Sequence, residues 1–95
     1  MPRLLKYPIF FILLLAGKDL HAQSDYNLLR KGDRDYKEGQ YNEAEIKYRK
    51  ALEEKKRATS SYNLGNSVYE QNRMDEAADA YKKAIADTKD TLLRS

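Results

Sequence analysis

Apolar residues follow two different patterns along the chain. Residues 9–16 form an unbroken apolar run, whereas from residue 23 onward apolar side chains recur every three or four positions among polar ones. The second pattern is the period of amphipathic α-helices. It predicts an all-α fold with four helices, at roughly 25–38, 42–56, 59–71 and 75–88.

The helical part of the chain is an internal repeat with a period of 33 residues. Gly32 recurs as Gly65 and Tyr48 recurs as Tyr81, with further matches in the same register and no gap. Sustained self-similarity of this kind indicates the duplication of one structural unit. We therefore divide the chain into residues 1–22, a first repeat at 23–57, a second repeat at 58–90, and residues 91–95 as a tail or a truncated start of a third repeat.

Each repeat is predicted to be two helices joined by a tight turn. Gly39 and Asn72 separate the apolar stretches, and Gly, or Asn as second choice, readily adopts the left-handed conformation that ends a helix. Asn42 and Asp75 follow as the expected N-caps, with Glu45 placed to complete a capping box. The expected fold is two stacked antiparallel hairpins.

Related motifs occupy matching places in the two repeats. The second repeat contains Asn63-Leu64-Gly65-Asn66, Tyr69, Asp75-Glu76-Ala77 and Tyr81-Lys82-Lys83-Ala84-Ile85. The first contains Gly32, Tyr36, Gly39, Tyr41, Asn42-Glu43-Ala44, Tyr48 and Ala51-Leu52. This pattern resembles the tetratricopeptide repeat (TPR), which implies a short right-handed solenoid of stacked hairpins. The structural positions that it implies are Gly32, Gly39, Ala44, Tyr48, Ala51, Leu64, Gly65, Ala77, Tyr81 and Ala84.

The resemblance also implies a binding surface. In this family the first helix of each repeat lines a concave groove that holds an extended peptide or a partner helix. The chain would then be a non-enzymatic protein–protein interaction module, an adaptor or scaffold. The matching groove positions are Tyr26, Leu29, Asp33, Tyr36, Lys37, Thr59, Tyr62, Asn66, Tyr69 and Glu70. The tyrosines among them are equally compatible with packing between helices.

A groove that clamps a C-terminal carboxylate is not expected. TPR clamps of that type use a Lys and an Asn in the first helix and an Asn in the next. The matching positions here are Leu29, Asp33 and Asn63. A carboxylate at Asp33 would repel the incoming carboxylate.

Residues 1–22 have the order of a secretory signal peptide. Arg3 and Lys6 precede the apolar run at 9–16, and Ala22 is the expected last residue before cleavage. Export to the periplasm follows from this interpretation. The alternative is an uncleaved anchor through residues 4–16 in the inner membrane, although the apolar run spans only about 12 Å as a helix.

Export together with Asn63-Leu64-Gly65-Asn66 makes the chain similar to the small TPR proteins of the bacterial aerotolerance operon. That similarity implies membrane-anchored von Willebrand factor A-domain proteins as partners. The alternative is a homo-oligomer formed through the repeat ends, because about three repeats are usually needed for stability. Ile85, Leu92 and Leu93 would form that contact.

The charge composition does not favour nucleic acid as a partner. The whole chain has a net charge of +3, but residues 23–95 hold 15 basic and 14 acidic side chains. They are interleaved, whereas binding a polyanion requires a stripe of one sign. The basic run Lys55-Lys56-Arg57 is interpreted as a solvated helix end.

No catalytic or metal site is expected. The chain has no cysteine, and its one histidine, His21, lies in the predicted leader. Two pairs of carboxylates stand two residues apart on the predicted helices, so their members point in different directions and are interpreted as surface charges. These pairs are Asp33 with Asp35 and Glu43 with Glu45. We therefore expect no enzymatic activity, cofactor, metal or small-molecule substrate.

Overall fold

The computed structural model describes residues 23–94, which are helical apart from three short connections. Helix α1 covers 23–37, α2 Tyr41–Glu54, α3 Ala58–Glu70 and α4 Met74–Arg94. The all-α prediction is confirmed, and each of the four predicted helices is present. The predicted signal peptide and its cleavage site lie outside the described residues.

The two hairpins are closed by the same type of turn. Gly39 has φ +76° and Asn72 has φ +63°, so both adopt the left-handed conformation expected of them. In the first turn the Gly39 N–H donates to the Tyr36 carbonyl at 3.0 Å, and the Gln40 N–H donates to the Asp35 carbonyl at 2.8 Å. Asn72 and the residue after it make the equivalent bonds. These are the paired bonds of a Schellman motif, so the predicted turn positions are confirmed.

The predicted N-caps are wrong by two positions. Helices α2 and α4 begin one residue before the expected caps, which places Asn42 and Asp75 inside the first helical turns. The N-cap of α2 is Gln40, whose side chain makes no capping hydrogen bond. Glu45 therefore completes no capping box, and its carboxylate bonds instead to side chains outside the first turn of α2.

Helix α4 continues six residues beyond the predicted end at 88 and reaches Arg94. Residues 91–94 therefore extend the second helix of the second repeat and do not begin a new hairpin. The segment after 88 contains neither Gly nor Pro, and Arg94 pairs with Asp90 one turn earlier at 3.2 Å. A basic side chain in the last turn also suits the helix dipole.

Glycine is required where a tyrosine of the second helix crosses the first. A Cβ on Gly32 would lie 2.6 Å from Cε1 of Tyr48, and a Cβ on Gly65 would lie 2.6 Å from Cε1 of Tyr81. Real Cβ atoms do not approach carbon so closely. The helix pairs α1–α2 and α3–α4 thus pack through the same glycine–tyrosine contact, as close packing of small against large residues requires.

The core lies where α3 packs against both α2 and α4. Its buried apolar members are Leu29, Ala44, Tyr48, Leu64, Val68, Ala77 and Ala80. Three serines of α3 are buried beside them, namely Ser60, Ser61 and Ser67. Small side chains allow α3 to approach its neighbours closely, and this makes it the central helix of the module.

An ion pair holds the junction between the two repeats, where the proline usual in such repeats is missing. The Nε of Arg57 donates to Oδ2 of Asp25 at 2.5 Å, and Asp25 is only 2% exposed. This hydrogen bond lowers the pKa of Asp25 and outweighs the opposite effect of burial. The interpretation of Lys55-Lys56-Arg57 as a solvated helix end is therefore wrong for Arg57, because α2 ends at Glu54 and Arg57 binds α1.

Candidate protein-binding groove

The surface between α1 and α3 contains a cavity of about 170 Å³, at the place where the sequence predicts a groove. We call this surface the α1–α3 groove. The residues that line the cavity are Asp33, Tyr36, Lys37, Tyr48, Asn63 and Asn66. Four of them were predicted as groove positions. Asn63 was considered only for the carboxylate clamp, and Tyr48 only as a packing residue.

The polar groups on the floor of the α1–α3 groove are hydrogen-bonded to one another. Oδ1 of Asp33 accepts hydrogen bonds from the Tyr48 hydroxyl at 2.6 Å and from Nδ2 of Asn63 at 3.1 Å. Burial and the neighbouring Asp33 raise the pKa of Tyr48, so its hydroxyl remains a donor. In the second repeat the Tyr81 hydroxyl donates to Oδ1 of Asn66 at 2.6 Å. Asp33 thus helps to join α1, α2 and α3, and the prediction of a surface charge there is wrong.

The predicted groove tyrosines differ in position and in exposure, since Tyr36 lines the cavity of the α1–α3 groove and Tyr62 lines a second cavity between α3 and α4. Tyr62 is 55% exposed and Tyr69 is 51% exposed, whereas Tyr36 is half-buried against the core. The Tyr36 ring packs edge-on to Tyr41 at 5.1 Å between centroids, and Tyr62 lies 5.6 Å from Tyr81. Tyr36 therefore has a packing role as well as a surface, while Tyr62 and Tyr69 present most of their rings to solvent.

The charged residues of the groove are of opposite sign. Lys37 on α1 and Glu70 on α3 occupy equivalent places in the two repeats, and both are exposed. The pKa of Tyr36 is raised first by burial and then by the charge of Glu70. The α1–α3 groove is therefore electrostatically mixed and does not select strongly for one sign of charge.

The remaining predicted groove residues lie toward the N-terminal ends of α1 and α3. Tyr26 is 47% exposed, and its ring lies between the guanidinium groups of Arg30 and Arg57, at 5.4 and 5.8 Å. Thr59 is exposed. Leu29 is only 6% exposed and belongs to the core, so its side chain offers no surface to a partner. Leu29 is buried because it packs in one core cluster with Leu64 and Val68 of α3.

A larger concave region, of about 780 Å³, lies on the other side of α3, between α2 and α4. Glu45, which is only 7% exposed, is one of its lining residues. Oε1 of Glu45 accepts from Gln71 at 3.0 Å and from Arg73 at 2.7 Å, while Oε2 accepts from Arg49 at 2.9 Å. Arg73 also pairs with Glu76.

The charged side chains around Glu45 link helices to one another. Burial alone would raise the pKa of Glu45, but the hydrogen bonds from Arg73, Gln71 and Arg49 outweigh it and lower the pKa. Glu45 thereby links α2 to the turn between α3 and α4. The prediction that Glu45 is a surface charge is wrong. None of the residues that line this larger cavity is a predicted groove position, so the α1–α3 groove remains the candidate binding site.

The family model for the tetratricopeptide repeat matches residues 29–90, which is more than half of the chain. The chain belongs to the tetratricopeptide repeat family. The match runs from within α1 into the last third of α4, so it covers both hairpins. No curated protein sequence matches the chain.

Tetratricopeptide repeats generally mediate protein–protein interactions and are typically non-enzymatic. Among residues 23–94, no helix combines the length and the apolar character needed to cross a membrane.

Proposed function

We propose that this TPR protein is a non-enzymatic adaptor that binds a peptide or helix of a partner protein in the α1–α3 groove. The observation that carries the proposal is that Tyr69 is 51% exposed on α3, one turn after Asn66, which lines a cavity whose polar floor is already hydrogen-bonded. Tyrosine gives a partner apolar area and a hydroxyl while losing little side-chain entropy on binding. A satisfied floor also leaves no buried polar group that a partner must match.

We also propose that the adaptor works in the cell envelope. The support is the basic, apolar and polar order of residues 1–22, which is typical of a signal peptide. The intact mass of the protein recovered from a periplasmic fraction is the test. Loss of residues 1–22 is the expected result, whereas full-length protein in the inner-membrane fraction would support a tethered adaptor.

The partner class that we propose is a membrane-anchored protein with a von Willebrand factor A domain. The proposal rests on the similarity of Asn63-Leu64-Gly65-Asn66 and the leader to the small TPR proteins of the aerotolerance operon. Purified domains of this class, chosen from the same genome, are therefore the first ligands to titrate. A second screen, capture from an envelope extract, identifies other partners if none of these domains binds.

The groove is tested by removing two of its aromatic side chains. Tyr36→Ala combined with Tyr69→Ala should weaken partner binding, because each buried aromatic anchor contributes about 2 kcal/mol and about 1.4 kcal/mol is tenfold in affinity. Tyr62 is left unchanged because it also contacts Tyr81 near the end of the module. The controls are Ile46→Ala and Met74→Ala, which truncate apolar side chains outside the groove whose exposure is similar to that of Tyr69.

The expected result is a loss of at least tenfold in affinity for the tyrosine variant and no loss for the two controls. Circular dichroism establishes that the variant keeps its helices, which matters because Tyr36 packs against the core. If the folded tyrosine variant binds the partner as the parent does, the α1–α3 groove is not the binding site.

A further inference from the structure

Three basic side chains form a row along the exposed side of α1. Arg30, Arg34 and Lys37 stand at a helical spacing, so at about 100° per residue they lie within an arc of about 60° on the helix surface. All three are exposed, and together with Asp33 they line a cavity of about 330 Å³. We call these three residues the basic row of α1.

The basic row is not neutralised by ion pairs within the described structure. Among residues 23–94, none of its three cations forms a salt bridge. Asp33, which shares their cavity, uses Oδ1 to accept hydrogen bonds from Tyr48 and Asn63. Because three cations and one carboxylate line the cavity, this part of α1 presents a local positive potential to its surroundings.

The repeat pattern does not require these positive charges. The residues 33 positions after the basic row are Asn63, Ser67 and Glu70, which are neutral or acidic. Ser67 is buried and Asn63 is half-buried, so two of these places serve packing in the second repeat. The basic row is therefore a feature of α1 in this chain and not of the unit that the two repeats share.

Tyr26 extends the basic row by one turn. Its ring is 47% exposed and lies 5.4 Å from the guanidinium of Arg30, a cation–π contact that holds this cation beside an apolar surface. The distance along α1 from Tyr26 to Lys37 is about 16 Å at about 1.5 Å per residue. About five residues of an extended chain have that length, at about 3.3 Å per residue.

We propose that the basic row binds an acidic segment of a partner protein. Carboxylates on alternate residues of an extended segment stand about 6.6 Å apart, which is close to the rise of about 6 Å between Arg30 and Arg34. Each guanidinium can donate two parallel hydrogen bonds to one carboxylate. An apolar residue at one end of the segment packs on Tyr26. The site is additional to the α1–α3 groove, because neither arginine lines that cavity.

Asp33 indicates which class of acidic ligand fits. Its carboxylate lies in the same cavity as the three cations, so a ligand needs hydrogen-bond donors there as well as acidic groups. A polypeptide supplies both, because its backbone N–H groups alternate with its side chains. A chain of phosphates offers acceptors alone, and Asp33 repels it. Glu38, which is exposed directly after α1, opposes an anionic lipid surface in the same way.

The probe is the acetylated and amidated peptide Leu-Glu-Ser-Glu-Ser-Glu-Leu, and the same peptide with Gln in place of Glu is its control. The apolar residue stands at both ends because the direction of binding is not assumed. We expect the acidic peptide to shift the backbone amide signals of α1 around Arg30 and Arg34 in ¹H–¹⁵N spectra of the full chain at low salt. The neutral peptide should leave these signals unchanged.

Paired substitutions separate the basic row from the overall charge of the protein. Arg30→Gln with Arg34→Gln should weaken binding of the acidic peptide at least about fivefold. The matched control, Lys82→Gln with Lys89→Gln, removes the same charge from exposed places on α4 and should bind as the parent does. Arg30→Lys with Arg34→Lys should give an intermediate affinity, because an ammonium group lacks the planar fork of donors.

Two further measurements characterise the contact. Raising the salt concentration from about 10 mM to about 150 mM shortens the Debye length from about 30 Å to about 8 Å and should weaken binding of the acidic peptide. Tyr69→Ala, which alters the α1–α3 groove, should bind this peptide as the parent does. The result therefore does not depend on the proposed adaptor function.

Three results would overturn the proposal. One is equal binding of the acidic and neutral peptides, or no binding of either at millimolar concentration. Another is the same loss of affinity in the α1 and α4 variants, with Arg34→Gln alone replacing the α1 pair if that pair does not fold. The third is binding of the parent, lost in the α1 variant, to vesicles of equal parts phosphatidylglycerol and phosphatidylcholine while the peptide does not bind, because this outcome assigns the basic row to a lipid surface.

Discussion

Replacing Gly32 by alanine tests the glycine–tyrosine contact that joins α1 to α2. The new Cβ would lie 2.6, 2.9 and 3.1 Å from three ring atoms of Tyr48. The ring cannot easily move away, because Tyr48 is 1% exposed and its hydroxyl is bonded to Asp33. Overpacking of this kind costs about 1–3 kcal/mol. Alanine is better than glycine in a helix by about 0.5–1 kcal/mol, so the expected net loss lies between about 0 and 2.5 kcal/mol and is about 1 kcal/mol at the middle of both ranges.

Gly65→Ala is the matched control, because it places a Cβ equally close to Tyr81. Tyr81 is only half-buried and faces the uncovered end of the module. Its ring can therefore yield, and the free energy of unfolding should fall by roughly 1 kcal/mol less than in Gly32→Ala. Urea unfolding, followed by circular dichroism, measures the free energy of unfolding of both variants. The slope of that free energy against urea concentration reports whether the area exposed on unfolding has changed.

A double-mutant cycle with Tyr48→Leu identifies the cause of the effect. When the ring is absent, Gly32→Ala should no longer destabilise the protein and should gain the helical preference of alanine, about 0.5–1 kcal/mol. If Gly32→Ala is as costly without the Tyr48 ring as with it, the ring is not the reason that this position requires glycine. A Gly32→Ala variant more stable than the parent by the full helical preference of alanine, about 0.5–1 kcal/mol, would refute the packing argument altogether.

Two further predictions concern the second turn and the Glu45 cluster. Because Asn72 has φ +63°, Asn72→Gly should raise the free energy of unfolding by about 0.5 kcal/mol and Asn72→Val should lower it by about 1–2 kcal/mol; equal urea midpoints for the two variants would contradict this. The folded-state pKa of Glu45 is lowered from 4.5, so its contribution to stability is present above that pH and is lost as the pH falls through the lower folded value. Glu45→Gln should flatten the acid side of the stability profile, whereas the exposed Glu43→Gln should leave it unchanged.

The helices, the turns and the repeat register could be predicted because their signals are local or periodic. Gly39 and Asn72 adopt left-handed conformations for reasons that belong to those residues and their immediate neighbours. The contact of Gly32 with Tyr48 could also be predicted, since its recurrence 33 residues later shows that both members belong to one packing unit. The predicted N-caps and the predicted end of α4 differ from the structure, because several neighbouring polar residues can begin or end a helix with similar energies.

The ion pairs could not be predicted from local patterns because they join distant residues. Glu45 and Arg73 are 28 positions apart, and Asp25 and Arg57 are 32 apart. A usable signal existed for Glu45, which stands three residues before Tyr48 and therefore on the apolar side of α2. A carboxylate on a buried side must have a partner. That reasoning predicts a buried ion pair but does not name Arg73.

The exposure of each groove residue depends on whether a neighbouring helix covers it. The repeat pattern does not contain that information. Leu29 and Tyr62 occupy the same place in the two units, yet one is 6% exposed and the other is 55% exposed. In a stacked array each unit contacts only its neighbours, so equivalent positions on the faces between repeats can have different environments in the two copies. Lys31 and Arg34 on the outer side of α1 suit contact with water, whereas Ile85 on the other end does not. The two ends of this module are therefore chemically different, since the α1 end exposes charged side chains and the α4 end exposes an apolar one.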